Sequence, residues 1–502
     1  MERMSTGIPD LDLILGGGFE RGSMVILSGA PGTGKTLLAQ QICFHNGTPE
    51  HKAIFYSTLS EPHTKLIRHV EAFDFFDREA VGARVEFVHL GELVRDTEAG
   101  GITGVISEVV RTVFEQYPSL VVIDSAKALR DFMGEEQLRT AFYDLGSRVA
   151  HSDAVLLMVG EYTAEEMDGA AEFSVADGIL HLVYQPREPV DRRWLRVQKL
   201  RGGDHLMGKH TFRIKKSGFE VYPRMETLAT GGEEHTESRI ASGITGLDAL
   251  MGGGMAVGDA TVVLGPSGAG KTNFSLSFLH QGLRDEERCL YVSFQESTKQ
   301  LTRKATEFGW DLIPDLESRR LVIQHVPVGE LDLDILAASV RRELARGGIR
   351  RVVIDSLAEM VFAARESERF PAFARSLVGL MRAHDASVVV TSETGTLGPM
   401  TEPVGGLSFL FNNVILLRYL EMDSQTRRAI NIVKMRNSNH DKGVFEFVIG
   451  ESNDRAGGRA FVPLQQRDPP PLPGDGLPGF ELGERLESVT GVLGWSALRS
   501  QQ

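Results

Sequence analysis

Only two cysteines, Cys43 and Cys289, occur in the 502 residues, and only three tryptophans. Two thiols cannot build the multi-bridge framework of a small secreted fold, so both are expected to be buried and reduced, outside any disulfide or metal site. No apolar run approaches the roughly 18 residues of a membrane span. Residues 1–10 carry charge, glycine and proline where a signal segment would be apolar. A cytoplasmic protein without a membrane partner is the expectation. Basic side chains are also in deficit: 54 Lys and Arg stand against 68 Asp and Glu, a net charge of −14. That balance removes the general electrostatic footprint of a nucleic-acid binder and leaves room only for a local basic channel.

What the chain does contain is a duplicated glycine-rich octapeptide. Gly29-Ala30-Pro31-Gly32-Thr33-Gly34-Lys35-Thr36 is matched by Gly265-Pro266-Ser267-Gly268-Ala269-Gly270-Lys271-Thr272, a displacement of 236 (271 − 35). Each follows an aliphatic run, at 24–27 and 261–264, and opens an apolar helical pattern, at 37–42 and 273–279. This is the strand, loop and helix context of a phosphate-binding loop. The glycines let consecutive backbone N–H groups turn inward, and the helix N-terminus adds partial positive charge. Lys35 and Lys271 are expected to meet the β- and γ-phosphates, with Thr36 and Thr272 on Mg²⁺.

The duplication extends along most of the chain. A Ser-Thr-Gly-Ile segment with a Gly16-Gly17-Gly18 triplet recurs as Ser242-Gly243-Ile244 with Gly252-Gly253-Gly254, and Leu120-Val121-Val122-Ile123-Asp124-Ser125 recurs as Arg351-Val352-Val353-Ile354-Asp355-Ser356. Two domains are therefore expected, 1–225 and 239–456, joined by a Gly/Thr/Glu-rich linker at 226–238. A Pro- and Gly-rich tail, 457–502, is expected to lie outside the folded core, although 484–498 has a loosely helical apolar spacing compatible with a docking helix. Apolar strands at 53–58, 84–89, 120–124 and 154–160 alternate with amphipathic helical patterns, which predicts an α/β fold with a mostly parallel sheet covered by helices. Nucleotide should sit at the strands' carboxyl ends.

Asp124 and Asp355 end buried strands, where a carboxylate is costly unless it meets a cation. They are the metal candidates, with helix capping as the other role open to them. Hydrolysis also needs a group that positions or deprotonates water. Tyr56-Ser57-Thr58-Leu59-Ser60-Glu61 and Tyr291-Val292-Ser293-Phe294-Gln295-Glu296 superpose without gaps at 235 (296 − 61), so Glu61 and Glu296 are read as equivalent acids and candidate bases. Acids at an exposed helix start would give the same pattern. Lys199 and Arg201, then Lys434 and Arg436, form repeated basic pairs on edge-like strands. They read either as a solvated face or as γ-phosphate contacts supplied across a subunit boundary.

Taken together, these motifs resemble the KaiC family of double-module, RecA-like ATPases. Further resemblance lies in Lys434-Met435-Arg436-Asn437-Ser438-Asn439-His440-Asp441-Lys442. The resemblance implies two tandem RecA-like P-loop NTPase domains in a homohexameric double ring. ATP and Mg²⁺ would then sit at subunit interfaces, with Lys199, Arg201, Lys434 and Arg436 reaching nucleotide on the adjacent protomer. Two adjacent glutamates are usual where this chain has Ser60-Glu61 and Gln295-Glu296, which implies slow hydrolysis, since neither serine nor glutamine accepts a proton at neutral pH. The family's phosphorylated Ser-Thr pair falls on Ser408-Phe409, leaving Ser408 as a candidate phosphosite or a buried or capping serine. The expected function is a ring-forming signalling ATPase with an unidentified regulatory partner. A DNA-associated motor or recombinase and a non-hydrolysing ATP scaffold are the alternatives.

Overall fold

A computed structural model of the chain describes all residues except 1, 58–62, 91–101, 128–134, 163–165, 168–170, 187–190, 229–237, 365–367, 395–406, 423–424, 437, 452–458, 463–479 and 486–502. It divides into two units at Leu228/Ala229, inside the stretch 226–238 that composition marked as a linker.

In the first unit, β1 (Met24–Gly29) runs into the phosphate loop and α1 (Lys35–Asn46) leaves it; β2 (Ala53–Ser57), β3 (Val85–His89), β4 (Leu120–Asp124), β5 (Val155–Gly160) and β6 (Gly178–Gln185) complete the parallel part. Three antiparallel strands follow, β7 (Arg192–Leu200), β8 (His210–Lys215) and β9 (Gly218–Tyr222). The sheet order is β9-β8-β7-β6-β1-β5-β4-β2-β3, so the strand bearing the phosphate loop lies in the interior between β6 and β5. Strand side chains alternate between two apolar layers. Leu27, Phe55, Val122 and Leu157 pack with Leu38 and Ile42 of α1. Ile26, Ile54, Val121 and Leu156 pack on the other face with Val109 of helix Ile102–Gln116 and Phe142 of helix Glu135–Val149.

The second unit repeats this plan: β10 (Ala260–Gly265), α2 (Lys271–Arg284), β11 (Arg288–Ser293), α3 (Thr298–Glu307), β12 (Leu321–His325), β13 (Ile349–Asp355), β14 (Ser387–Glu393), β15 (Asn413–Met422), β16 (Gln425–Met435) and β17 (Val444–Glu451). β15, β10, β14, β13, β11 and β12 lie in that order as parallel neighbours, and β16 and β17 continue antiparallel beyond β15. Two parts of 457–502 depart from the expectation of a segment outside the core. β18 (Arg459–Val462) and β19 (Phe480–Arg485) both pair with β17, whose backbone groups offer partners at the sheet's margin. The remainder of the tail, with most of the expected docking helix, lies outside the described residues.

Cys43 on α1 and Cys289 on β11 are both free and fully buried. Burial pushes both thiols upward, Cys289 to about 12. No helix among the described residues is long and apolar enough to cross a membrane.

One buried charge has no counterpart in the first unit, where Leu120 holds its place. Arg351 on β13 is wholly buried, donates to the carboxylates of Glu287 (2.5 Å) and Asp285 (3.2 Å) and to the carbonyls of Ala241 and Phe278, and lies over the Phe278 ring. It ties the start of the second unit to α2. Removing one member of such a network strands the others, so Arg351→Ala is expected to destabilise the second unit by about 3 kcal/mol, read from chemical denaturation.

Candidate functional site

The phosphate loops owe their shape to glycine. Gly34 and Gly270, the residues before α1 and α2, have φ of 99° and 107°. These left-handed values suit glycine alone. A Cβ on Gly34 would also come within 2.8 Å of Ile214. The helix N-termini and the lysines are thereby aimed into one space. Lys35 donates to the carbonyl of Ala30 (2.9 Å), and Lys271 to those of Gly265 and Pro266 (2.8 Å each). Burial lowers both ammonium pKa values, opposed by Glu161 and Asp124 in the first unit and by Glu393 and Asp355 in the second. A polyphosphate supplies the anion such a partly buried cation calls for.

Asp124 and Asp355 stand at the strand ends facing these loops. Thr36 donates to Asp124 (2.7 Å) and Thr272 to Asp355 (3.2 Å). Each site thus pairs one hydroxyl with one carboxylate, both hard oxygen donors. Among the described residues no group of three or more His, Cys, Asp or Glu could hold a metal. One carboxylate and one hydroxyl, completed by phosphate oxygens and waters, suit Mg²⁺ well. The Asp124–Ser125 and Asp355–Ser356 peptide bonds are both cis.

In the second unit a cavity of about 430 Å³ opens beside Lys271, Thr272 and Asp355 and is also lined by Glu296, Gln295 and Glu393. The loop carrying Glu296 is fastened by Ser293, whose hydroxyl donates to the Glu296 carbonyl (2.7 Å) and accepts from its N–H (3.1 Å). One Glu296 carboxylate oxygen accepts from Lys304 of α3. The other, Oε2, is buried with no hydrogen-bond partner among the described residues. Gln295 donates to Glu359, which also accepts from Ser356, so the glutamine is committed elsewhere.

Strand register shows that the two acids stand at different distances from their strands. Ser57 lies opposite Asp124, and Ser293 lies opposite Asp355, which sets a displacement of 236 (293 − 57) up to the strand ends. Counted back from the helix starts at His63 and Thr298, the displacement is 235 (298 − 63), which keeps Glu61 matched to Glu296. The segment between strand and helix is one residue longer in the first unit, 58–62 against 294–297, and the ungapped superposition hid this. Glu61 lies outside the described residues.

Glu161 and Glu393 escaped the sequence reading. Glu393 ends β14 beside Gly265, and Glu161 follows β5 directly. Their own recurrence, at 232 (393 − 161), was the available signal.

The basic pairs lie elsewhere. β7 and β16 are interior in strand order, flanked by β6 and β8 and by β15 and β17, but at Lys199 and Lys434 each is paired on one side only, by β6 or β15, so the edge-like reading holds locally. Their polar alternation reflects a solvated sheet face. Lys199 pairs in register with Ile179, near the start of β6, and Lys434 with Val414, near the start of β15. Each lysine is thus level with a residue three before its own phosphate loop's first glycine, Ile26 or Val262, roughly 10 Å back along the strands and about 10 Å across two strand spacings. Lys199 donates to the carbonyls of Phe173 and Ser174 (3.3 and 3.2 Å), and Lys434 to those of Ser408 and Phe411 (2.9 Å each). Burial, with the neighbouring Arg201 or Arg436, lowers both lysine pKa values. Arg201, at 3.4 Å from Asp177, and Arg436 are exposed. Ser408 opens a short 3-10 turn, half-buried, and its carbonyl takes the Lys434 bond.

Comparison with known proteins agrees with this plan. The family profile described as "ATPase: KaiC" matches twice, over residues 4–226 and 240–454. The "Circadian clock oscillator protein KaiC" of Parathermosynechococcus lividus is 28% identical, covering 90% of this chain and 84% of its own. The "Circadian clock protein KaiC3" of Synechocystis sp. is 27% identical, covering 100% of this chain and 96% of its own. With two profile matches accounting for nearly the whole described chain, and a phosphate loop, hydroxyl and strand-end aspartate in each, the chain belongs to the KaiC family of ATPases.

Proposed function

We propose that this KaiC-family chain binds MgATP at both phosphate loops, assembles through those sites into a homohexamer, and hydrolyses ATP slowly to set which regulatory partner the ring engages. The observation that carries the reading is the placement of the basic pairs. Lys199 with Arg201 and Lys434 with Arg436 cannot reach their own phosphate loops, so a role at γ-phosphate requires another chain. ATP then acts as a bridge between protomers.

Within each site, 29–36 and 265–272 hold the phosphates, and Thr36 with Asp124 and Thr272 with Asp355 hold Mg²⁺. The metal, when bound, neutralises charge on the transferring phosphoryl group. Glu296 orients and deprotonates the attacking water in the second unit, its carboxylate fastened by Lys304. Glu61 is proposed for the same task in the first, from its position just beyond β2. Slow turnover is supported by Ser60 and Gln295, which replace the acids that usually adjoin the base. Ser408, beside Lys434 at the end of the sheet facing a neighbour's nucleotide, is the proposed acceptor if phosphate is transferred to the chain. Phosphate incorporation that survives Ser408→Ala would remove that assignment.

Nucleotide content and assembly together test the reading. Two nucleotides per chain and a ring mass by light scattering in MgATP are expected. Lys35→Ala and Lys271→Ala each remove one nucleotide, weakening their own site by about 100-fold, as expected when one member of a buried charge pair is truncated. A monomer in MgATP, or two nucleotides retained by the double variant, contradicts the reading.

A further inference from the structure

Two buried hydroxyls stand behind the aspartate of the second magnesium site. Asp355 Oδ2 accepts from Tyr291 Oη at 2.7 Å as well as from Thr272, and Asp355 Oδ1 accepts from Thr391 Oγ1. Both donors are fully buried, Tyr291 on β11 and Thr391 on β14, the strands flanking β13. Register identifies the matching positions in the first unit. Phe55 precedes Ser57 by two residues as Tyr291 precedes Ser293, and Val159 lies opposite Asp124 as Thr391 lies alongside Asp355. Phenylalanine and valine offer no hydrogen to donate. The first unit's sheet therefore has no hydroxyl at either place.

Resting on the reading of both loops as MgATP sites, we propose that Tyr291 and Thr391 are positioning residues that fix the Asp355 carboxylate for the metal, so that the second site holds magnesium nucleotide at a lower Mg²⁺ concentration than it could without them. A strand-end aspartate rotates about χ2, and a cation needs one oxygen presented in a set direction. Two hydroxyl donors, one on each oxygen, select that rotamer before the metal arrives. Oδ1 keeps a lone pair for the cation, and Oδ2 regains one when Thr272 turns its hydroxyl oxygen to the metal. Donors in the shell behind a metal ligand typically change metal affinity 10- to 100-fold when removed. Thr272 remains the direct partner of the metal and is not altered in the test.

The experiment uses full-length chains carrying Lys35→Ala, so that only the second site is read. Binding of a fluorescent ATP analogue is followed during a Mg²⁺ titration. Tyr291→Phe and Thr391→Val are each expected to raise the Mg²⁺ midpoint about 10-fold, and Thr391→Ser, which keeps the hydroxyl, to restore it. Full-length Lys271→Ala chains report the first site, whose midpoint stays fixed when Tyr291→Phe is added. That control separates a local effect from general damage to the fold. An unchanged midpoint in both Tyr291→Phe and Thr391→Val, or an equal shift at the first site, overturns the proposal. Failure of the parent Lys35→Ala chain to bind the analogue at any Mg²⁺ concentration instead sinks the MgATP reading on which it rests.

Discussion

Glu296→Gln, in a chain whose first site is silenced by Lys35→Ala, is expected to slow steady-state phosphate release by on the order of 10²-fold to 10³-fold with bound nucleotide unchanged. The side chain keeps its size and its hydrogen bonding but loses the ability to take a proton. The expectation rests on the arrangement around the carboxylate. Lys304 claims one oxygen, Gln295 is turned to Glu359, Oε2 is a buried acceptor without a partner among the described residues, and the residue lines the cavity beside Lys271. Release that continues at the parental rate would move the task to another acid, with Glu393 on the same cavity wall the next to test.

The second large effect concerns Lys434 and Arg436. Replacing both with alanine in the Lys35→Ala background is expected to cut hydrolysis roughly 10³-fold, the scale associated with cations delivered to γ-phosphate from a neighbouring subunit. Mixing supplies the sharper measurement. Chains without the basic pair and chains carrying Lys271→Ala, both with the first loop left intact to hold the ring together, each lack second-site hydrolysis alone. Co-assembled at equal ratio, about a quarter of the interfaces in a randomly mixed ring unite an intact loop with an intact pair. Activity should return to about that fraction. No recovery in mixed rings of verified composition would show that the pair serves its own chain.

Much of this was legible because phosphate binding is a backbone matter. Glycines at fixed offsets between an aliphatic run and a helix admit few alternatives, and β1 and β10 lie where the flanking runs placed them. Asp124 and Asp355 were visible for a related reason, since a charge closing an apolar strand demands a partner. The basic pairs were found, and their strands are edge-like only where the pairs lie, because alternating polar residues mark a solvated face and say nothing about where lateral pairing stops. Pairing between strands distant in sequence was the information missing there. The same gap hid the extra residue before Glu61 and the donors Tyr291 and Thr391, which become neighbours of Asp355 only once β11, β13 and β14 are laid in register. Glu161 and Glu393 were missed for a simpler reason. Their recurrence was not compared with that of the loops.

The placement of the two thiols gives the chain a way to report on itself. Each unit encloses one cysteine, Cys43 within the helix that leaves the first loop and Cys289 within the sheet of the second, and neither has a solvent-exposed sulfur from which to ionise. An alkylating pulse can label them only while the surrounding unit is open. Counting tags on peptides containing Cys43 and Cys289 would therefore time the breathing of each half separately, in one sample and without any introduced probe.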